Sequence, residues 1–180
     1  MSEYYFDLES EGLDPGVDKI TTIQYQKLGF NTGKPVSELV ILKAWESSEK
    51  QILEEFAKVF GPEEEKWSFI STGYNLHFEE KFLRERCIAN ALPPIMLFSK
   101  PSLDLHPIGI LMAGGFKGSG LDKITGKEGN GLQCLNHYNA KEYDKVTDYI
   151  KQEAAEYLRF YVWLRQRMPK LMTEFHVDCL

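Results

Sequence analysis

Apolar and polar positions first alternate along the chain and then cycle with a longer period, which separates strands from helices. Tyr4-Tyr5-Phe6-Asp7-Leu8-Glu9 is aromatic and apolar apart from its two acids, and the turn-forming Glu11-Gly12-Leu13-Asp14-Pro15-Gly16 follows it. Residues 19–28, with Ile20, Thr22, Ile23 and Tyr25, predict a second strand folded back on the first. After the turn Asn31-Thr32-Gly33-Lys34-Pro35, residues 39–45 predict a third. The period then changes. Ser48 and Gln51 form a capping-box pattern, Ile52, Phe56, Val59 and Phe60 recur at helical spacing, and Gly61-Pro62 ends the helix. Glu63-Glu64-Glu65 reads as a solvated loop and residues 67–72 as a fourth strand. Phe78, Phe82, Leu83 and Ile88 mark a second amphipathic helix over residues 77–91, stopped before Pro93-Pro94.

The rest is less regular. Residues 108–113 predict a short apolar helix. Residues 114–131 hold seven glycines in eighteen positions, the composition of a lid or of a tight substrate-facing loop. Val146, Ile150, Tyr157, Tyr161 and Leu164 then trace a long helix over residues 141–168 that Pro169 should end. Three strands in succession, followed by helices alternating with a strand, predict an α/β layer on a mixed sheet. At 180 residues the expectation is one domain spanning 1–180, large enough to fold on its own apolar core.

Composition narrows the function classes. The chain carries 27 acidic and 21 basic residues, a balance that disfavours a protein devoted to coating phosphate backbones but suits a site that holds divalent cations. No stretch reaches the length of a membrane-spanning helix, and the start Met1-Ser2-Glu3-Tyr4-Tyr5 has no basic region of a signal peptide. Cys87, Cys134 and Cys179 are odd in number and widely spaced, so a reducing, cytoplasmic compartment is expected. His77, His106, His137 and His176 lack zinc-ligand spacing, Cys87 reads as a small core residue, and the glycines do not form a nucleotide-binding fingerprint.

The chemistry lies in the acids. Asp7 and Glu9, two apart on a strand, project from one face while Phe6 and Leu8 point to the other. Two carboxylates side by side on a largely buried strand repel each other, and a hard divalent cation removes that conflict.

The stretch Phe6-Asp7-Leu8-Glu9-Ser10-Glu11-Gly12-Leu13-Asp14-Pro15, with Asp18-Lys19-Ile20-Thr21-Thr22-Ile23 after it, resembles the first motif of the DEDD-type 3′-5′ exonucleases of the ribonuclease H-like superfamily. Gly73-Tyr74-Asn75-Leu76-His77-Phe78-Glu79-Glu80-Lys81-Phe82-Leu83 is similar to the second motif, with Glu79 where the family writes aspartate. Glu80 reads as an ordinary acid at a helix start. Tyr149-Ile150-Lys151-Gln152-Glu153 resembles the third motif of the tyrosine subclass, again with glutamate for aspartate, and its surroundings resemble the polymerase-associated branch. Tyr138 with Glu142, or His137 with Glu142 in the manner of the histidine subclass, are competing registers, and Asp144 and Asp148 are the fallback acids if the last helix is rotated.

The resemblance implies a ribonuclease H-like fold, a mixed sheet with helices on both faces. It implies that Asp7, Glu9, Glu79 and Glu153 hold two Mg²⁺ or Mn²⁺ ions and that Tyr149 orients the attacking water. Ser10 and Asn75 would contact the terminal nucleotide of a single-stranded DNA or RNA 3′ end, and Lys117, Lys123 and Lys127 would touch phosphates. The two glutamates also fit a second implication, a ribonuclease H-like module that binds nucleic acid or protein without catalysis.

Overall fold

The computed structural model describes residues 1–178, so Cys179 lies outside the described residues. Five strands, β1 (Glu3–Ser10), β2 (Ile20–Leu28), β3 (Val40–Lys43), β4 (Ile70–Gly73) and β5 (Ser102–Asp104), form one sheet in the order β3-β2-β1-β4-β5. The hairpin neighbours β1-β2 and β2-β3 are antiparallel, whereas β1-β4 and β4-β5 are parallel, so the sheet is mixed. Helices α1 (Glu49–Phe60), α2 (Leu76–Ala89), α3 (His106–Ala113), α4 (Leu121–Thr125), α5 (Gly131–Asn139) and α6 (Tyr143–Asp178) complete the described elements with one 3₁₀ turn at Leu97–Ser99.

The alternation along β1 sorts the helices. Phe6 and Leu8 face a core in which Ile52, Leu53 and Phe56 of α1 and Phe82 and Leu83 of α2 are buried. Tyr5 faces the other way, into a core with Tyr157, Leu158, Tyr161 and Leu164 of α6. Helices therefore cover both faces, and each fully buried Phe or Leu contributes roughly 1.5–3 kcal/mol. Along β1 three side chains of one face meet three of α6. Tyr161 donates its hydroxyl to Glu3 Oε1 at 2.5 Å, the Tyr5 and Tyr157 rings lie 5.0 Å apart, and Asp7 meets Glu153. Arg165 adds a contact from Nη1 to Glu3 Oε2 at 3.3 Å.

Helix α1 begins as its capping residues dictate, with Ser48 Oγ accepting the Gln51 N–H at 3.2 Å. Ser48→Ala should cost about 1 kcal/mol, read as a lower urea midpoint at unchanged slope. Glu49 and Arg86 form a buried pair at 2.8 Å that ties the start of α1 to α2, and Glu49 also accepts the Ile20 N–H.

Several expectations are corrected. Ile88 is 57% exposed, because the buried face of α2 runs through Phe82, Leu83, Arg86 and Cys87. The fourth strand begins at Ile70, and Trp67 is exposed. The glycine-rich stretch is not one lid, since it contains α4 and the first residue of α5. Strand β5 has only three residues, too few to leave a pattern. Pro169 does not end α6. Proline leaves the Arg165 carbonyl without its helical partner, and the helix is exposed from Gln166 onward, so that carbonyl can turn to water. No helix among the described residues is long and apolar enough to cross a membrane.

Candidate metal centre

Strand β1 carries two of the acids to the end of the sheet. Asp7 is paired with Gln24 and Glu9 with Thr22, and the register shifts between Glu9 and Ser10, a bulge that re-aims the chain where the strand ends. The partner strand orients Asp7. Thr22 Oγ1 donates to Gln24 Oε1 at 3.0 Å, which leaves Gln24 Nε2 to donate to Asp7 Oδ2 at 2.8 Å.

The third acid comes from α2. Strand β4 lies so close to β1 that a side chain at Gly73 would sit 2.7 Å from the Phe6 carbonyl, and Asn75 turns the chain in the left-handed region (φ 68°). Asp104 at the end of β5 holds that turn, accepting the N–H of Asn75 at 2.8 Å and of Leu76 at 3.0 Å. Glu79 then falls in the first turn of α2, where it lines a cavity shared with Asp7 and Glu9 of β1. It is 5% exposed, and its Oε2 is buried without a hydrogen-bond partner among the described residues. Glu80, one position on, accepts the Phe98 N–H at 2.7 Å and stays out of the cluster.

Helix α6 supplies Glu153. One carboxylate oxygen from each of Asp7, Glu9 and Glu153 lies within 4.8 Å of the others. A cavity of about 310 Å³ is lined by these three acids together with Glu79, Tyr149, Asn75 and His106. Burial, and then the charge of Glu153, raise the Asp7 carboxyl to about 7 against the pull of Gln24. Burial followed by the charges of Glu153 and Asp7 pushes Glu9 well up, and burial with Asp7 does the same to Glu79. The Tyr149 phenol is also pushed up by burial and by Glu153, so it keeps its proton.

These observations test whether the residues fit a metal. The donors are all carboxylate oxygens, the set a hard divalent cation takes. An unpartnered buried oxygen on Glu79 and three mutually repelling neighbours are what such an ion would relieve. The residues fit.

Asp7, Glu9, Glu79, Tyr149 and Glu153, named from three separate segments, thus line one cavity, and Asn75 joins them. The competing partners do not line it: His137 Nδ1 pairs with Glu142 Oε2 at 2.6 Å, and Tyr138 packs against Trp45. The fallback acids are not among the lining residues, Asp144 and Asp148 both being exposed. Ser10 donates to the Gly12 carbonyl at 2.6 Å and lines a neighbouring apolar cleft with Leu13 and Leu132. Lys117 and Lys123 are exposed and outside the cavity lining.

Lys127 corrects the expectation that it lies on the surface ready for phosphate. Gly126 and Gly129, at φ 75° and 87°, fold the loop back so that the lysine ammonium enters the acid cluster. Its Nζ stands 2.9 Å from Glu153 Oε2 and 3.8 Å from the centroid of the Tyr149 ring. The attraction of several carboxylates outweighs hydration of the ammonium.

Sequence reasoning missed Gln24, Asp104, His106 and Cys134. The signal for Asp104 was present, an acid two positions before His106-Pro107 at a helix start, where it also accepts the His106 N–H at 2.9 Å. The Cys134 thiol is buried near Glu9, and burial with that charge pushes it up. Nothing local to its sequence marks it.

No protein-family model and no curated protein matches the chain. Solved structures do. The chain is similar to exonuclease I of E. coli in the zinc-bound form of its complex with single-stranded DNA, at a TM-score of 0.66 and 12% identity over 98% of this chain and 43% of that one. It is similar to exonuclease I bound to an inhibitor, BCBP, at a TM-score of 0.64 and 12% identity, again over 98% of this chain and 43% of that one. A further exonuclease I structure, described as suggesting how processivity is achieved, aligns at a TM-score of 0.65 and 12% identity over the same shares of 98% and 43%. The chain spans less than half the length of the exonuclease I chains it matches. At this identity the likeness is one of fold, and the fold is the ribonuclease H-like α/β arrangement.

Proposed function

We propose that the chain is a metal-dependent 3′-5′ exonuclease that hydrolyses phosphodiester bonds at the 3′ end of single-stranded DNA or RNA. We assign it to the tyrosine subclass, polymerase-associated branch, of the DEDD type. The observation that carries the reading is one open cavity lined by Asp7, Glu9, Glu79, Glu153 and Tyr149, in which Asp7, Glu9 and Glu153 bring one oxygen each within 4.8 Å of one another. The single-stranded DNA in the exonuclease I complex is in keeping with the substrate class. The buried free thiols of Cys87 and Cys134 are in keeping with a reducing, cytoplasmic setting.

Asp7, Glu9, Glu79 and Glu153 would hold two Mg²⁺ or Mn²⁺ ions, which when bound lower the proton affinity of water and stabilise the departing 3′ oxygen. Asp7 lines the cavity with one oxygen near those of Glu9 and Glu153, and Gln24 holds its Oδ2 by a hydrogen bond. Because its phenol stays protonated, Tyr149 can donate a hydrogen bond that orients the attacking water without ligating. Asn75, held by its left-handed turn at the cavity rim, and Ser10, at the end of β1 beside the apolar Leu13 and Leu132, would meet the terminal nucleotide. Lys117 would contact phosphates of the strand outside the cavity.

The test is a 5′-labelled single strand, DNA and RNA in turn, incubated with Mg²⁺ or Mn²⁺. A ladder shortened from the 3′ end is expected, and Tyr149→Phe should slow it by about 10²-fold with metal binding unchanged. Glu79→Asp and Glu153→Asp should also slow it, since each carboxylate would fall one methylene short. Wild-type protein that leaves both strands intact in both metals overturns the proposal.

A further inference from the structure

Lys127 sits where an arriving metal ion would have to sit beside it. Its side chain is 1% exposed and its ammonium is 2.9 Å from Glu153 Oε2, on a carboxylate that has one oxygen within 4.8 Å of one oxygen each of Asp7 and Glu9. The ammonium also covers the face of Tyr149 at 3.8 Å. Divalent ions of this class bind carboxylate oxygen at about 2.1 Å, so an ion sharing that oxygen would stand at most about 5 Å from the ammonium. Two cations at that separation in a buried site repel strongly.

We infer that Lys127 is an internal counter-cation that occupies the acid cluster until a divalent ion arrives, and that ion binding expels it. This rests on the metal-dependent reading above. The backbone of Glu153 is fixed, because Ala154, Tyr157, Leu158 and Tyr161 after it on α6 are in the core, and as a proposed ligand its carboxylate stays with the ion. Lys127 is the partner that can withdraw. It lies on the short connection between α4 and α5, and the glycines flanking it, Gly126 and Gly129, are both in the left-handed region. An ordinary buried salt bridge would do no more than hold this connection to α6, whereas a counter-cation must compete with the metal.

Two measurements on the full chain separate these roles. Calorimetric titration with Mn²⁺ should show the length-matched, neutral Lys127→Met binding the ion about tenfold tighter than wild type or better, with Lys127→Arg close to wild type. Wild-type protein treated with an amine-acylating ester should show Lys127 protected in EDTA and modified in excess Mn²⁺. The exposed Lys117 should react in both. Equal Mn²⁺ affinity in wild type and Lys127→Met, or Lys127 protected under both conditions, overturns the inference while leaving metal binding by the acids intact. Absence of Mn²⁺ binding in every variant overturns this inference and the metal-dependent reading together. If Lys127→Met does not fold, the acylation of wild type decides.

Discussion

Asp7→Asn should abolish strand shortening, lowering the rate by at least about 10³-fold, the scale of roughly 4 kcal/mol of lost transition-state stabilisation. The amide keeps the shape of the side chain and can still accept the Gln24 hydrogen bond at the oxygen that now accepts it at 2.8 Å. What it removes is the charge at the centre of the cluster. The same change should make the metal-free protein more stable. Asp7 is held above its ordinary range by burial and by Glu153, so an uncharged side chain relieves Glu9, Glu79 and Glu153 together. Rate measurement alongside thermal melts in EDTA at pH 8, where the folded Asp7 carboxyl has lost its proton, checks both halves. A variant that loses activity because it unfolds would show a lower midpoint, the opposite of the expected result.

In EDTA, wild-type protein should lose stability as pH rises from about 4 to 7. The Asp7 carboxyl titrates near 3.8 when the chain is unfolded and near 7 when it is folded, so the folded state holds a proton that the unfolded state releases. Its contribution is full below the lower value and is lost as pH climbs through the upper one. Glu9 and Glu79, also shifted upward, add to the same trend. A divalent ion should reverse it, because the ion needs the ionised carboxylates. At a hundred times its dissociation constant a ligand adds about 2.7 kcal/mol, which for a chain of this size raises the melting midpoint by roughly 5–10 °C. Melts at pH 5 and pH 8, each with EDTA and with Mn²⁺, test this. The metal-induced rise should be large at pH 8 and small at pH 5, and an equal rise at both would contradict it.

How much of this was legible in the residues differs from element to element. Asp7 and Glu9 could be placed from local pattern alone, because a strand's period of two puts them on one face opposite Phe6 and Leu8. Glu79 and Glu153 could not. Their spacing from Asp7 along the chain says nothing of distance in space, and only the resemblance of three segments to one family named them. The helix of Glu153 was readable to Leu164, where burial imposes a period, and not beyond it, where an exposed helix tolerates Pro169. Strand β5 and helix α5 were missed for different reasons. The first is three residues long, and the second has one buried residue, Cys134, too little to impose an apolar face. Lys127 is the plainest gap. A lysine between glycines resembles any solvated loop, and its burial follows from the field of acids brought together by distant parts of the chain.

The pairing of β1 with α6 fixes what this chain can vary. Two residues of strand advance about 6.6 Å and four residues of helix about 6 Å, so the two elements share a common pitch where they touch. Glu3, Tyr5 and Asp7 step along one at intervals of two as Tyr161, Tyr157 and Glu153 step along the other at intervals of four. They mesh like a rack and a screw. Side chains between these teeth can be exchanged freely wherever they face water. A single residue inserted between 153 and 161 would instead rotate Glu153 by about 100° around the helix axis and carry it away from Asp7, with Tyr161 still seated on Glu3. In this part of the protein the spacing of the teeth is what the contacts constrain, and the identity of the water-facing side chains between them is left open.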